Sequence, residues 1–321
     1  MQTTTVVDVT YRCNATCRYC QWGNSRNQLR KHLQLQEILL PYESLKALGT
    51  KRIVLSGGEP RLHPQLPEIL GYYGKYADDL IILTNGYGLN REKILRLKEL
   101  GATGFTVSLD SIYSDESMKT RETPFEYHQQ IISNLVNACK NTREFEIGVN
   151  SVVSHITANW KTVDGILEFA QNLHLDFVKF QPIFNDGYAE HNAPHLLLSP
   201  TDYVNLKEIG ERLETIEHPP TNPPEFWRNV GDLVAGKRLS SSSCGLGKNQ
   251  SIAVGQNLKI CYWLNYGRFG KTNSILKPSH AEAVRRSFEI EKLNCKVDSH
   301  CFCMQPISHV WETLAGDDKP E

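Results

Sequence analysis

KRIVLSGGEP occupies residues 51–60. Its first six residues form a short, largely aliphatic run without the 3.6-residue spacing of an amphipathic helix, and such a run reads as a buried strand. The run stops at Gly57-Gly58, where the missing Cβ atoms permit a turn or a close backbone approach. Glu59 and Pro60 follow. The strand thus delivers two glycines and a carboxylate to one end of whatever sheet it joins.

The same rhythm continues on both sides. Upstream, the β-branched stretch 3–10 reads as a strand and QEILLPYESLKAL (36–48) has helical spacing, broken at Pro41. Downstream, LPEILGYYGKYA (66–77) reads as helix and DLIILTNG (79–86) as a strand ending in a turn. NREKILRLKELGA (90–102) is a helix with Asn90 to cap its start and Gly101 its end. GFTVSLDS (104–111) is a strand and PFEYHQQIISNLVNACKN (124–141) a long helix. EFEIGVNSVVS (144–154), ANWKTVDGILEFAQNL (158–173) and DFVKFQPIF (176–184) read as strand, helix and strand. Strands alternating with helices imply a parallel sheet with right-handed crossovers. An open doubly wound sheet and a complete or partial barrel both fit this pattern. In either, functional groups belong at the C-terminal strand ends. The polar clusters fall there: Cys13 onward, Ser56-Gly57-Gly58-Glu59, Thr84-Asn85-Gly86, Ser108-Leu109-Asp110, Asn150-Ser151 and Gln181.

After residue 185 the rhythm changes. NDGYAEHNAPHLLLSP is loop-like, SPTDYVNLKEIGERLETI (199–216) is a capped helix, and EHPPTNPPEF (217–226) is proline-rich. SSSS at 240–243 precedes a second cysteine group. These breaks divide the chain into residues 1–190, 191–239 and 240–321, the middle part a helical, proline-rich linker.

The chain has 321 residues, 40% hydrophobic and 22% charged, ordinary values for a globular protein with a sizeable core. Lys+Arg is 35 and Asp+Glu 36, so no net charge draws it to nucleic acid or to a membrane. No secretory signal and no apolar run of membrane-spanning length is visible. A cytoplasmic protein is expected, and there nine cysteines are better read as metal ligands than as disulfides. Three lie at 13–20, Cys139 stands alone as an expected core thiol, and five lie at 244–303.

RCNATCRYCQW (12–22) spaces Cys13, Cys17 and Cys20 as C-x3-C-x2-C. Three thiolates suit a cubane iron–sulfur cluster whose fourth iron is left for another ligand. A zinc site needs a fourth donor, with His32 the nearest, and a fortuitous trio is the remaining alternative.

This spacing, with Tyr19 before the last cysteine, resembles the signature of radical S-adenosylmethionine (radical SAM) enzymes, and SGGEP at 56–60 is similar to that family's GGE motif. The resemblance covers roughly residues 4–185. It implies an α/β fold, a partial (β/α)6 TIM-like barrel, in which Cys13, Cys17 and Cys20 hold a [4Fe–4S] cluster and SAM chelates the open iron. It further implies that Gly57, Gly58 and Glu59 meet the SAM amino group and that backbone near Tyr19 touches the adenine. Ser108 and Asn150 match positions that hold the SAM carboxylate or ribose, and Gln181 is a further candidate; Ser and Asn also end strands as plain turn formers. The implied reaction is reductive cleavage of SAM to a 5′-deoxyadenosyl radical, which takes a hydrogen atom from substrate. An external one-electron reductant such as flavodoxin or ferredoxin is required.

In SCGLGKNQSIAVGQNLKICYW (243–263), SIAV and LKIC read as a hairpin turning at Gly255-Gln256, flanked by Cys244 and Cys261. Cys295, Cys301 and Cys303 follow. In a chain of this kind the arrangement is similar to the SPASM/Twitch extension, which holds auxiliary [4Fe–4S] clusters. Five cysteines fit the shorter, single-cluster Twitch form, with Cys244, Cys261 and two of the last three as ligands. The C-x5-C-x-C ending departs from the commonest pattern, and zinc is the alternative there. His155, Tyr87, Asp186, Tyr188 and Glu190 are candidates to line a pocket at the barrel mouth, while the five tryptophans read as packing residues.

Two substrate classes fit: a small natural-product, sugar or nucleoside-like molecule, or a peptide to be crosslinked, epimerised or oxidised. Only 12 residues precede Cys13. That leaves no room for an upstream leader-binding domain and favours the small molecule. A non-catalytic electron carrier is the distant alternative; it has no use for a GGE motif at a barrel mouth.

Overall fold

The computed structural model describes residues 3–20, 32–40, 45–46, 49–139, 145–183, 188–237, 250–254 and 257–259. Six strands follow one another: β1 (Thr3–Thr10), β2 (Thr50–Gly57), β3 (Asp79–Thr84), β4 (Gly104–Ser108), β5 (Glu146–Val153) and β6 (Phe177–Pro182). Each pairs in parallel with the next. Between them lie α1 (Leu66–Tyr73), α2 (Arg91–Glu99), α3 (Ser114–Arg121), α4 (Phe125–Cys139) and α5 (Trp160–Asn172). The architecture is the curled half-barrel of the partial (β/α)6 type, and the open-sheet alternative falls away.

Residues in register across a parallel sheet share a face. Val7, Leu55, Ile82, Phe105 and Ile147 form one such row and are all buried. They share one buried cluster with Ile69, Leu70, Ile94 and Ile132 of the helices, and their face is the wholly apolar, helix-covered one. The other face carries Asp8, Ser56, Ser108, Asn150, Lys179 and Gln181, and lines the concave side. Two-faced burial explains why the strands read as continuous apolar runs, with polar residues gathering toward their C-terminal ends.

The helix ends follow local chemistry. The Asn90 side chain accepts from Lys93 N at 3.0 Å, and α2 ends at Gly101 with φ +109°. The Asn159 side chain caps α5 through Thr162 N at 3.0 Å. Of the helix expected over 36–48, the described residues show one turn at Leu35–Ile38 and helical backbone at 45–46; residues 41–44 and 47–48 lie outside the described residues. Helix α3 has no counterpart in the sequence reading. Its residues, SDESMKTR, carry no apolar stripe, and its place is set by the polar contacts described below.

Two further helices, α6 (Tyr203–Leu213) and α7 (Pro224–Val234), belong to the same hydrophobic core through Leu206, Ile209, Phe226, Trp227 and Val230. Trp227 lies against Phe180 of β6, ring centroids 5.1 Å apart. The proline-rich segment between these helices covers the open edge of β6: Val178 N donates to Pro220 O (2.9 Å) and Phe180 N to the Asn222 side-chain oxygen (2.6 Å). At the opposite edge, β7 (Gln250–Val254) pairs in parallel with β1, and β8 (Asn257–Lys259) returns antiparallel to β7. The expected strand SIAV is therefore present, as are the first two residues of LKIC, and both extend the barrel sheet; residues 260–261 lie outside the described residues. Gly255-Gln256, Cys244, Cys261, Cys295, Cys301 and Cys303 lie outside the described residues, as do Asp186 and the side chains of Cys139 and Tyr188. Among the described residues no helix is long and apolar enough to cross a membrane.

Candidate functional site

The C-terminal ends of β1 and β2 are zippered together: Gly58 N donates to Thr10 O and Glu59 N to Arg12 O, both at 2.7 Å. The chain leaving β1 therefore crosses directly over the two glycines. Gly57 sits at φ +113°, and a Cβ there would overlap the Thr10 carbonyl. A Cβ at Gly58 would overlap the carbonyl of Arg12. The glycine pair is needed for backbone to approach backbone, and the backbone it admits is the start of the cysteine loop.

Glu59 is 0% exposed. Its carboxylate accepts from Thr84 Oγ1 (2.9 Å) and Asn85 N (2.8 Å) and pairs with Arg61 Nε (2.9 Å). Arg61 also donates to Tyr87 O at 2.6 Å. Glu59 thus fixes the turn after β3. Within that turn Tyr87 N donates to Asn85 Oδ1 (2.9 Å), which aims the Asn85 Nδ2 at Asn14 Oδ1 (2.9 Å) and Cys13 Sγ (3.6 Å). Ala15 N also donates to Cys13 Sγ, at 3.4 Å.

The far side of the loop is held from β4 and α3. The Tyr19 hydroxyl donates to Asp110 Oδ2 (2.7 Å) and accepts from Arg121 Nη1 (3.0 Å). Arg121 Nη1 also meets Asp110 Oδ1 at 3.5 Å, and Val152 N donates to that same oxygen at 3.0 Å. Arg18 N donates to Thr120 O at 3.1 Å. Sequence reasoning placed Asn85 and Asp110 at strand ends without a role and missed Arg61 and Arg121. Arg121 carries no signal in the sequence because Tyr19 is 102 residues away, and for Arg61 the nearby Glu59 is visible but its contact with Tyr87 is not.

Cys13, Cys17 and Cys20 form no disulfide. Burial pushes the Cys13 thiol up, and pushes Cys17 up to about 12, with the Arg121 charge pulling the other way. As bare thiols Cys13 and Cys17 stay protonated at neutral pH, so cation binding must displace their protons. Among the described residues no three His, Cys, Asp or Glu side chains converge closely enough to hold one metal ion. A cubane takes each thiolate on a different iron, and so wants its thiols spread apart. His32, the proposed zinc donor, is engaged with Thr10 Oγ1 through Nδ1 at 3.0 Å. Three thiols suit a cubane, whereas a zinc ion wants a fourth donor.

On the concave face, β4 to β6 place Ser108, Asn150 and Lys179 in one row, with Gln181 two residues beyond Lys179. Lys179 was not anticipated. Burial first, and Arg52 second, pull its amine down to about 7. Of the expected mouth residues, His155 Nδ1 pairs with Asp202 Oδ1 at 2.8 Å, Glu190 is exposed, and Tyr87 lies against Tyr127 with its hydroxyl on Thr123.

Comparison with known proteins agrees with this geometry. GTP 3′,8-cyclase of Ectopseudomonas mendocina (strain ymp) is 25% identical over 92% of this chain and 89% of its own length. Molybdenum cofactor biosynthesis protein 1 of Dictyostelium discoideum is 25% identical over 81% of this chain, which spans 42% of that protein. Fe-coproporphyrin III synthase of Methanosarcina barkeri is 34% identical over a third of the chain and 27% of its own length. Among solved structures, anSMEcpe with bound AdoMet superposes with TM-score 0.60 at 18% identity, over 95% of this chain and 90% of that one. SuiB of Streptococcus suis bound to precursor peptide SuiA gives 0.62 at 12%, over 87% and 63%. The radical SAM superfamily profile matches residues 7–170, and the chain belongs to that superfamily.

Proposed function

We propose that this chain is a radical SAM oxidoreductase acting on a small molecule, with Cys13, Cys17 and Cys20 as the ligands of its [4Fe–4S] cluster. The observation that carries this reading is the cysteine loop itself, which enters over the Gly57-Gly58 ledge at the C-terminal strand ends with its three thiols unbridged. When bound, the cluster and SAM supply a 5′-deoxyadenosyl radical, with the electron coming from a flavodoxin- or ferredoxin-type donor. The chain's own residues position and enclose. Gly57, Gly58 and Glu59 form the shelf for the SAM amino group, backbone near Tyr19 meets the adenine, and Ser108, Asn150 and Gln181 meet the carboxylate and ribose. The polar concave row that these last residues share with Lys179 suits a polar substrate. A cytoplasmic location goes with this proposal.

The small-molecule reading is supported by the near full-length match to a protein named as a nucleotide cyclase. The peptide reading draws on likeness to SuiB bound to its precursor peptide, and that likeness is one of fold. A second cluster, on Cys244, Cys261 and two of Cys295, Cys301 and Cys303, is part of the proposal, as electron acceptor or substrate anchor. Anaerobic reconstitution tests it: about eight irons per chain are expected, as for two cubanes. Changing Cys13, Cys17 and Cys20 to Ala should halve that number and abolish 5′-deoxyadenosine formation under a strong reductant. Iron content unmoved by the triple change would sink the ligand assignment. The substrate class is read from which fraction of a cell extract, dialysable or retained, stimulates 5′-deoxyadenosine formation; stimulation by the retained fraction alone would favour the peptide.

A further inference from the structure

We propose that Arg121 is a positioning residue that sets the reduction potential of the cluster on Cys13, Cys17 and Cys20. The inference rests on that ligand assignment.

The argument begins with place. Arg121 ends α3, is 7% exposed, and reaches the middle of the cysteine loop by donating to the hydroxyl of Tyr19, which lies between Cys17 and Cys20. The preceding residue, Thr120, accepts from Arg18 N, so the loop backbone is docked on the end of α3 at the same point. The guanidinium is kept there by Asp110, 0% exposed, which also holds Tyr19 and Val152 N. Arg121 and Asp110 both meet the Tyr19 hydroxyl, so a buried cation and a buried anion stand together against the cysteine loop.

The consequence is electrostatic. Three thiolates and a cubane carry net negative charge, and one-electron reduction of the [4Fe–4S] core from 2+ to 1+ adds another. A fixed cation in a buried site stabilises the reduced form more than the oxidised one, because charge interactions are weakly screened there. Arg121 therefore raises the potential and eases electron entry from a low-potential one-electron donor. The nearby carboxylate opposes it. Among the levers that tune iron–sulfur potentials, this one is local charge.

The sign pattern gives the test. Arg121→Gln removes the cation and should make the midpoint more negative. Asp110→Asn removes the anion and should make it less negative. Arg121→Lys keeps the charge and should stay near wild type. The full-length chain, reconstituted anaerobically, is titrated under EPR, following the signal that is absent in the Cys13/Cys17/Cys20→Ala variant. At a fixed potential the reduced-to-oxidised ratio in Arg121→Gln should fall by about tenfold, equivalent to ~59 mV for one electron. If Arg121→Gln fails to fold, the opposite shift in Asp110→Asn still decides the matter. Equal shifts in Arg121→Lys and Arg121→Gln, or midpoints unmoved in Arg121→Gln and Asp110→Asn, would overturn the inference, leaving Arg121 a structural anchor. Iron content separates the two levels. A chain that loses no iron in the triple variant defeats the ligand assignment; a chain that loads normally but keeps its midpoint defeats only the role of Arg121.

Discussion

Gly57 and Gly58 show how a motif can be forced by backbone rather than by a ligand. Each sits under a carbonyl of the incoming cysteine loop, and neither carbonyl can move without breaking the hydrogen bonds that zip β1 to β2. Gly58→Ala should therefore cost about 1–3 kcal/mol, the range for forcing extra volume into a close contact, and should lower cluster loading, because the loop is displaced at its root. Urea unfolding together with iron counting checks this; a variant that folds and loads like wild type would mean the ledge yields. The motif was legible in the sequence, but this mechanical part was not. Spacing shows that glycines are present, and only the crossing of Thr10 and Arg12 shows what they make room for. Glu59 is similar. A carboxylate at a strand end reads as a ligand for an ammonium, whereas its visible partners are Arg61, Thr84 and Asn85.

At the scale of elements, the alternation of strands and helices was legible because two-faced burial leaves long apolar runs. Helix α3 was not, because nothing in SDESMKTR is periodic; its position depends on Arg121 meeting Asp110 and Tyr19, contacts spanning 11 and 102 residues of sequence. The cover over β6 was equally hidden. A proline-rich stretch signals a break, not the fact that it runs beside a strand and satisfies its edge. Asn222→Ala should leave the buried Phe180 N without an acceptor and cost about 1–3 kcal/mol. The neighbouring Thr221 hydroxyl is buried without a partner, so Thr221→Val should be close to neutral. Chemical denaturation of the two variants side by side checks the contrast, and equal losses would mean the edge is not held through Asn222.

For the molecule as a whole, one core histidine makes a separable contribution to the response to acid. His128 lies on α4, buried, with its Nδ1 unpartnered. Burial, and then the charge of Arg121, bring its pKa down to about 3 from an unfolded value of 6.5. The sign follows from proton counting. Below pH 6.5 the unfolded chain binds a proton that the folded chain refuses, so folding weakens as pH falls from 6.5 toward 3 and is unaffected by this group above 6.5. The slope is about 1.4 kcal/mol per pH unit once the unfolded imidazole is fully charged. His128→Gln removes the titrating group while keeping a side-chain donor. Across urea unfolding at pH 7 and pH 5, the wild-type chain should therefore lose roughly 2 kcal/mol more than the variant. Taking the difference between the two curves cancels carboxylates such as Glu146 and Asp176, which burial raises and which act in the opposite direction. Parallel losses would place the acid sensitivity elsewhere and show that the imidazole reaches solvent when charged. The same guanidinium that faces the cysteine loop on one side thus helps keep a core histidine neutral on the other, so Arg121→Gln should also ease the acid penalty in the chain that still carries His128.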